Sequence, residues 1–146
     1  MSKPFLELAN KMIRGEAPAP PVAQLVGFRM VTVEKDFCVM ELEALPQHAN
    51  PMGTLHGGIL CDVADGAMGM AWASDLDEGE SFTTLEIKVN YLKPVWNARL
   101  RAEARVKKRG RTVGLAECDV RDEKGDLIAH AVSTLMTLRG DAARGR

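Results

Sequence analysis

"NPMGTLHGGILCDVADGAMGMAWASDL", Asn50 to Leu76, joins a loop rich in shape-setting residues to a run of small and apolar side chains. From Gly57 the apolar residues recur at helical spacing, with Leu60, Val63, Ala64, Ala67, Met68 and Ala71 in one arc at about 100° per residue. The acidic and glycine-containing "DLDEGES" that follows is a stop signal, so the spacing predicts a helix over 57–76. Ala64, Gly66, Ala67 and Gly69 are small; glycine costs up to about 1 kcal/mol in a helix interior but lets other groups come close to the backbone. Asp62 falls opposite the apolar arc, where a solvated acid is the plain reading. Asp65 falls at the edge of the arc, near Cys61 and Trp72, where partial enclosure suits a base or nucleophile.

On either side of this helix the period changes. Upstream, "FRMVTVEKDFCVMELEAL" (Phe28 to Leu45) predicts a hairpin with its turn near Glu34 to Asp36. Downstream, Leu85, Ile87, Val89 and Tyr91 alternate with Thr84, Glu86, Lys88 and Asn90, which predicts a strand with these two sets on opposite faces. Leu100, Ala102, Ala104 and Val106 form the next apolar face, and Thr112 to Val120 and Leu127 to Leu138 are two further strands. "KKRGRT" and "RDEKGD" supply the turns. Phe5 to Ile13 is helically spaced, and "GEAPAPP" after it reads as a stiff linker. The expected division is residues 1–24 as N-terminal helix and proline-rich linker, 25–139 as the main domain, and 140–146 as a flexible tail. The class is α+β. One helix covers a broad sheet incompletely, so burial in an oligomer is expected.

The chain has 146 residues, 46% of them hydrophobic, which suits one sizeable core. Its 19 basic and 20 acidic residues nearly cancel, which gives no reason to expect nucleic acid as a partner. No run is long and apolar enough for a bilayer, so no membrane is expected and the location is read as cytoplasmic. Cys38, Cys61 and Cys118 lack metal-ligand spacing, as do His48, His56 and His130, and no metal is expected.

The helix start carries the candidate chemistry. The first backbone N–H groups of a helix have no internal partner and carry the positive end of its dipole, so Gly57 and Gly58 can present donors to a developing oxyanion without obstruction by a side chain. A glycine-rich turn capped by Thr54 is the plainer alternative. His56 can act as acid, base or orienting donor, and Asn50 can hold its loop or orient water.

Taken together, "N-P-M-G-T-L-H-G-G", Asp65 in the helix and the extended "TTLEIKVNYLKPV" resemble the hotdog-fold thioesterase superfamily, specifically the phenylacetic-acid-pathway-type (PaaI-like) acyl-CoA thioesterases. The resemblance spans roughly Leu25 to Arg139. It implies a hotdog fold, a long central helix wrapped by a curled antiparallel β-sheet, with two protomers sharing a continuous sheet and dimers pairing into tetramers. It implies hydrolysis of an acyl-CoA, aromatic or of short to medium chain, at intersubunit sites. No cofactor is implied, coenzyme A being part of the substrate. By position, Gly57 resembles the N–H donor to the thioester carbonyl, Asp65 the partner subunit's base or nucleophile, and Asn50 and His56 the loop residues that organise the site. Thr84 resembles a water-placing hydroxyl, with Thr83 as its neighbour, and Gly58 adjoins the donor. For the coenzyme A phosphates the candidates are Lys107, Lys108, Arg109 and Arg111, with Lys93 at another turn. Met52, Met68, Met70, Trp72 and Phe82 are candidates for an acyl pocket, with core packing as the alternative. A hydratase or dehydratase on the same fold and a non-catalytic acyl-CoA binder are the competing functions.

Overall fold

The computed structural model describes residues 2–146; residue 1, the first of the expected N-terminal segment, lies outside the described part. The elements run α1 (Pro4–Ile13), α2 (Pro21–Val26), β1 (Arg29–Glu34), β2 (Phe37–Ala44), α3 (Gly57–Ala73), β3 (Ser81–Tyr91), β4 (Ala98–Arg109), β5 (Val113–Arg121) and β6 (Leu127–Leu138). Short 3-10 turns occupy Pro46–His48 and Gly140–Ala143. The hairpin, the helix and the four later strands follow the sequence pattern, but α3 ends at Ala73, before the expected Leu76. The proline run ends in α2, whose first residue, Pro21, needs no N–H there, and Gly27 closes it in the left-handed conformation at φ 99°.

All pairings in the sheet are antiparallel, in the order β1-β2-β4-β5-β6-β3. The expected curled wrap around a central helix is not what forms. β1 and β3 do not pair, so the sheet is open with two free edges, and it is accompanied by three helices. α3 lies on one face, and the predicted arc of Leu60, Val63, Ala64, Ala67, Met68 and Ala71 is buried against it. Facing them are Leu100, Ala102 and Ala104 of β4, Ala116, Cys118 and Val120 of β5, and Ala129, Ala131 and Leu135 of β6. Small residues on both sides bring helix and sheet close together.

Two β-bulges decide which side chains reach the helix. In β3 the register shifts between Thr84 and Glu86, so Thr84 stands opposite the buried Leu135 and Ile87 opposite the buried Ser133. Strict alternation puts Thr84 on the face away from Ile87 and Val89. The extra residue, Leu85, turns outward and is 54% exposed, and Thr84 joins Ile87 and Val89 on the helix side. In β4 a shift between Val106 and Lys108 brings Arg109, paired with Gly114, onto the helix face. There its guanidinium lies 4.1 Å from the centre of the Trp72 ring and donates to the Trp72 carbonyl at 2.8 Å. Trp72 is fully buried, and its Nε1–H donates to Thr137 Oγ1.

Candidate active site

The loop before α3 is built by Asn50 and His48. The Asn50 side-chain oxygen accepts the N–H groups of Met52 and Thr54 at 3.0 and 3.1 Å, and its amide donates to Thr54 Oγ1 at 2.6 Å. Asn50 therefore holds the loop through its own turn. His48 is buried; its Nδ1 accepts the Leu45 N–H, which leaves Nε2–H to donate to the Val26 carbonyl at 2.6 Å. The His48 carbonyl in turn accepts the His56 N–H. This histidine, which sequence spacing dismissed only as a metal ligand, fixes the entry to α3.

At the start of α3, His56 is the exposed N-cap and Ile59 donates back to its carbonyl. Among the described residues, no group accepts the N–H of Gly57 or Gly58. Both donors are thus available at the positive end of a 17-residue helix. The residue that sequence reasoning missed here is Tyr91. Its hydroxyl donates to the Gly57 carbonyl at 2.9 Å, and its ring lies where a Gly57 Cβ would stand, 2.9 Å from Cζ. The period-two pattern marked Tyr91 only as an apolar position of β3. Gly58 is similarly faced by the His56 ring, 3.1 Å from where its Cβ would be.

Asp65 is half-buried, and its Oδ1 accepts a hydrogen bond from Thr84 Oγ1 at 3.0 Å. The bulge at Leu85 makes this contact possible. Thr83, opposite Met136, turns to the other face. Nearby acids and thiols feel the enclosure: partial burial, then the charge of Asp65, pushes the Asp62 carboxyl above its ordinary range. The Cys61 thiol is pushed up by burial first and then by Asp65 and Asp62. Asp65 and Thr84 line a cavity of about 470 Å³ that is otherwise mainly apolar. Of the pocket candidates, Met70 and Phe82 line it, Met68 and Trp72 are core residues, and Met52 is 76% exposed.

The basic candidates divide. Arg109 is committed internally, with Asp36 at 2.6 Å in addition to Trp72. Lys107 lies 4.0 Å from Glu117, while Lys108 and Arg111 are exposed. Lys93 bridges Asp126 at 2.7 Å and Asp122 at 3.2 Å. Because Arg109 touches Trp72, this hairpin tip stands at the C-terminal end of α3, far from Gly57 along a helix about 25 Å long. Gly57 and Asp65 are themselves separated by about 12 Å along the axis.

The family model "Thioesterase superfamily" matches residues 52–129, just over half of the chain, from the α3 loop into β6. A phenylacetic acid degradation-related protein of Ralstonia eutropha has a similar structure, with a TM-score of 0.80 and 32% identity, covering 88% of this chain and 98% of that one. The acyl-coenzyme A thioesterase 13 of Mus musculus is 31% identical over 69% of this chain and 71% of its own. The 1,4-dihydroxy-2-naphthoyl-CoA hydrolase of Listeria monocytogenes is 28% identical over 77% of this chain and 91% of its own. With the helix-on-sheet architecture, these matches establish that the chain belongs to the hotdog-fold thioesterase superfamily, a thioester hydrolase by family.

Proposed function

We propose that this protein hydrolyses acyl-CoA thioesters at sites shared between two copies of the chain, with Gly57 of one protomer and Asp65 of the other acting on the same carbonyl. The observation that carries this reading is the half-buried Asp65, held by Thr84 at the edge of an apolar cavity. The separation of about 12 Å between Gly57 and Asp65 within one helix supports the two-chain arrangement. So does the free edge of β3, 11 residues long, which offers unpaired backbone groups to a second copy. Pairing of such dimers into a tetramer belongs to the same reading. Acyl-CoA as substrate class is supported by the activities for which the two similar enzymes are named.

In the proposed reaction the thioester oxygen accepts the Gly57 N–H, with Gly58 beside it. Asp65 takes a proton from water as the water oxygen bonds to the carbonyl carbon, and Thr84 holds one carboxylate oxygen so that the other faces the water. The tetrahedral centre then collapses, the C–S bond breaks, and coenzyme A leaves as a thiolate that regains a proton. Stabilisation of the oxyanion by one such donor contributes about 2.7 to 4 kcal/mol. His56 and Asn50 organise the loop that carries Gly57. Lys107, Lys108 and Arg111 remain candidates for the phosphates.

Asp65→Asn keeps an acceptor for Thr84 but removes the base, so thiol release from acyl-CoA is expected to fall at least 100-fold in a protein of unchanged oligomeric state. Full turnover in that variant rejects the assignment. Single turnover in ¹⁸O-water probes the route: label in Asp65 marks a mixed anhydride opened at the Asp65 carbonyl, whereas direct attack by water labels the product acid and leaves Asp65 unlabelled.

A further inference from the structure

The cavity at Asp65 is not closed by the part of the chain that the family model matches. Its far side is α1 and α2, which precede residue 52. α1 has a weak claim to be a mere packing element, because Ala9 is its only fully buried residue. Phe5, Met12 and Ile13 stay half-buried and line the cavity, with Phe5 also packing against the core. The helix is tethered at its start. Lys3 reaches Asp75 and Asp77 at 3.0 and 2.8 Å, and Phe5 meets Phe82 edge-to-face with centroids 6.2 Å apart. Beyond this tether α1 also packs along β1, while Met12 and Ile13 in its last turn line the cavity.

The other wall is shaped by glycines of α3. At Gly69 a Cβ would lie 3.2 Å from Phe82, and at Gly66 it would lie 3.3 Å from Met40 Sδ, so a side chain at either position requires its neighbour to shift by a few tenths of an ångström. The polar side chains on the lining are Asp65 and Thr84 at one end and Arg29, which is ion-paired with Glu41 at 2.7 Å. An apolar chamber with a carboxylate and a hydroxyl at one end matches a molecule with one reactive polar end and an apolar body. Its volume of about 470 Å³ lies within the range of about 300 to 1,000 Å³ for whole small-molecule sites, well beyond the needs of an acetyl group. Methionines in the lining, Met12, Met30, Met40 and Met70, can repack around a flexible chain.

We propose that α1 and α2 roof the acyl chamber of their own protomer's Asp65, and that Met12 and its neighbours on α1 limit the bulk of an apolar acyl chain of medium length. This rests on the thioesterase reading of Asp65 given above. The geometry makes α1 a specificity element that borders the chamber beside the sheet and α3.

The test compares Met12→Trp, which fills the chamber from the roof, with Met12→Ala, which enlarges it. The ratio of kcat/KM for decanoyl-CoA to that for acetyl-CoA is expected to fall at least tenfold in Met12→Trp and to rise in Met12→Ala. An unchanged ratio in both folded variants overturns the proposal, and the alanine variant alone decides if the tryptophan variant does not fold. A second readout is independent of hydrolysis: calorimetric affinity for the non-hydrolysable thioether S-decyl-coenzyme A relative to coenzyme A. A decyl advantage in the parent that drops at least tenfold in Met12→Trp or grows in Met12→Ala supports the roof even if no thioester is cleaved. No decyl advantage in the parent, or an equal one in parent and folded variants, overturns it. Absence of thiol release from every acyl-CoA, with the decyl effect intact, rejects the hydrolytic reading alone.

Discussion

Gly57 shows how one residue is constrained from two sides. Its N–H belongs to the helix terminus, and its carbonyl is held by Tyr91. A Cβ at 2.9 Å from Tyr91 Cζ and 3.0 Å from its hydroxyl oxygen pushes the ring away and breaks that hydrogen bond. Gly57→Ala is therefore expected to cost about 1 to 2 kcal/mol in urea unfolding. Adding Tyr91→Ala removes the clash, so the double variant is expected to be more stable than the sum of the single changes predicts. Strict additivity speaks against the contact. Gly57, Asp65 and the loop residues were readable because helix starts and helical spacing are local properties. Tyr91 and His48 were not, since their roles depend on which groups the fold brings to them.

At the scale of elements, the β4 bulge gives Arg109 a different part from its neighbours in "KKRGR". Loss of its contacts with Asp36 and Trp72 in Arg109→Ala is expected to destabilise the fold by about 1.5 to 3 kcal/mol. Lys108→Ala is expected to stay within about 0.5 kcal/mol of the parent. Thermal unfolding of the two variants checks the contrast, and equal effects reject the internal role of Arg109. A charge run in sequence does not reveal this division, because one inserted residue reverses which side chains face the core.

The tether of α1 has its own pH signature. Partial burial pushes the Asp75 carboxyl up, but hydrogen bonds and charge from Lys3 and Lys35 outweigh it and hold the group below its ordinary value of 3.8. A depressed carboxylate contributes stability above its unfolded value and loses it as pH falls through the lower folded one. Lys3→Ala is thus expected to cost about 0.5 to 1 kcal/mol at pH 7, reduced by solvent screening. That difference should shrink below pH 3.8, as unfolding measured across pH will show. A constant difference removes Asp75 from the tether.

For the whole molecule, the open sheet leaves β3 as its longer free edge, with Leu85 exposed on it by the bulge. In a two-fold pairing of β3 with its copy, each substitution occurs twice. Leu85→Asp is expected to shift sedimentation equilibrium toward monomer and to lower thioester hydrolysis at least tenfold at the same chain concentration. Full activity in a protein that sediments as a monomer rules out the shared site.

The sequence by itself determined the α+β class, the buried arc of α3, the strand segments and the position of Asp65, because periodicity records which face of each element is apolar. Only the tertiary structure decided that the sheet stays open, that Thr84 reaches Asp65, that Arg109 turns inward and that α1 covers a cavity. The physical reason is that strand order, bulges and the docking of distant helices depend on pairings between segments far apart in the chain, and no local pattern encodes those partners.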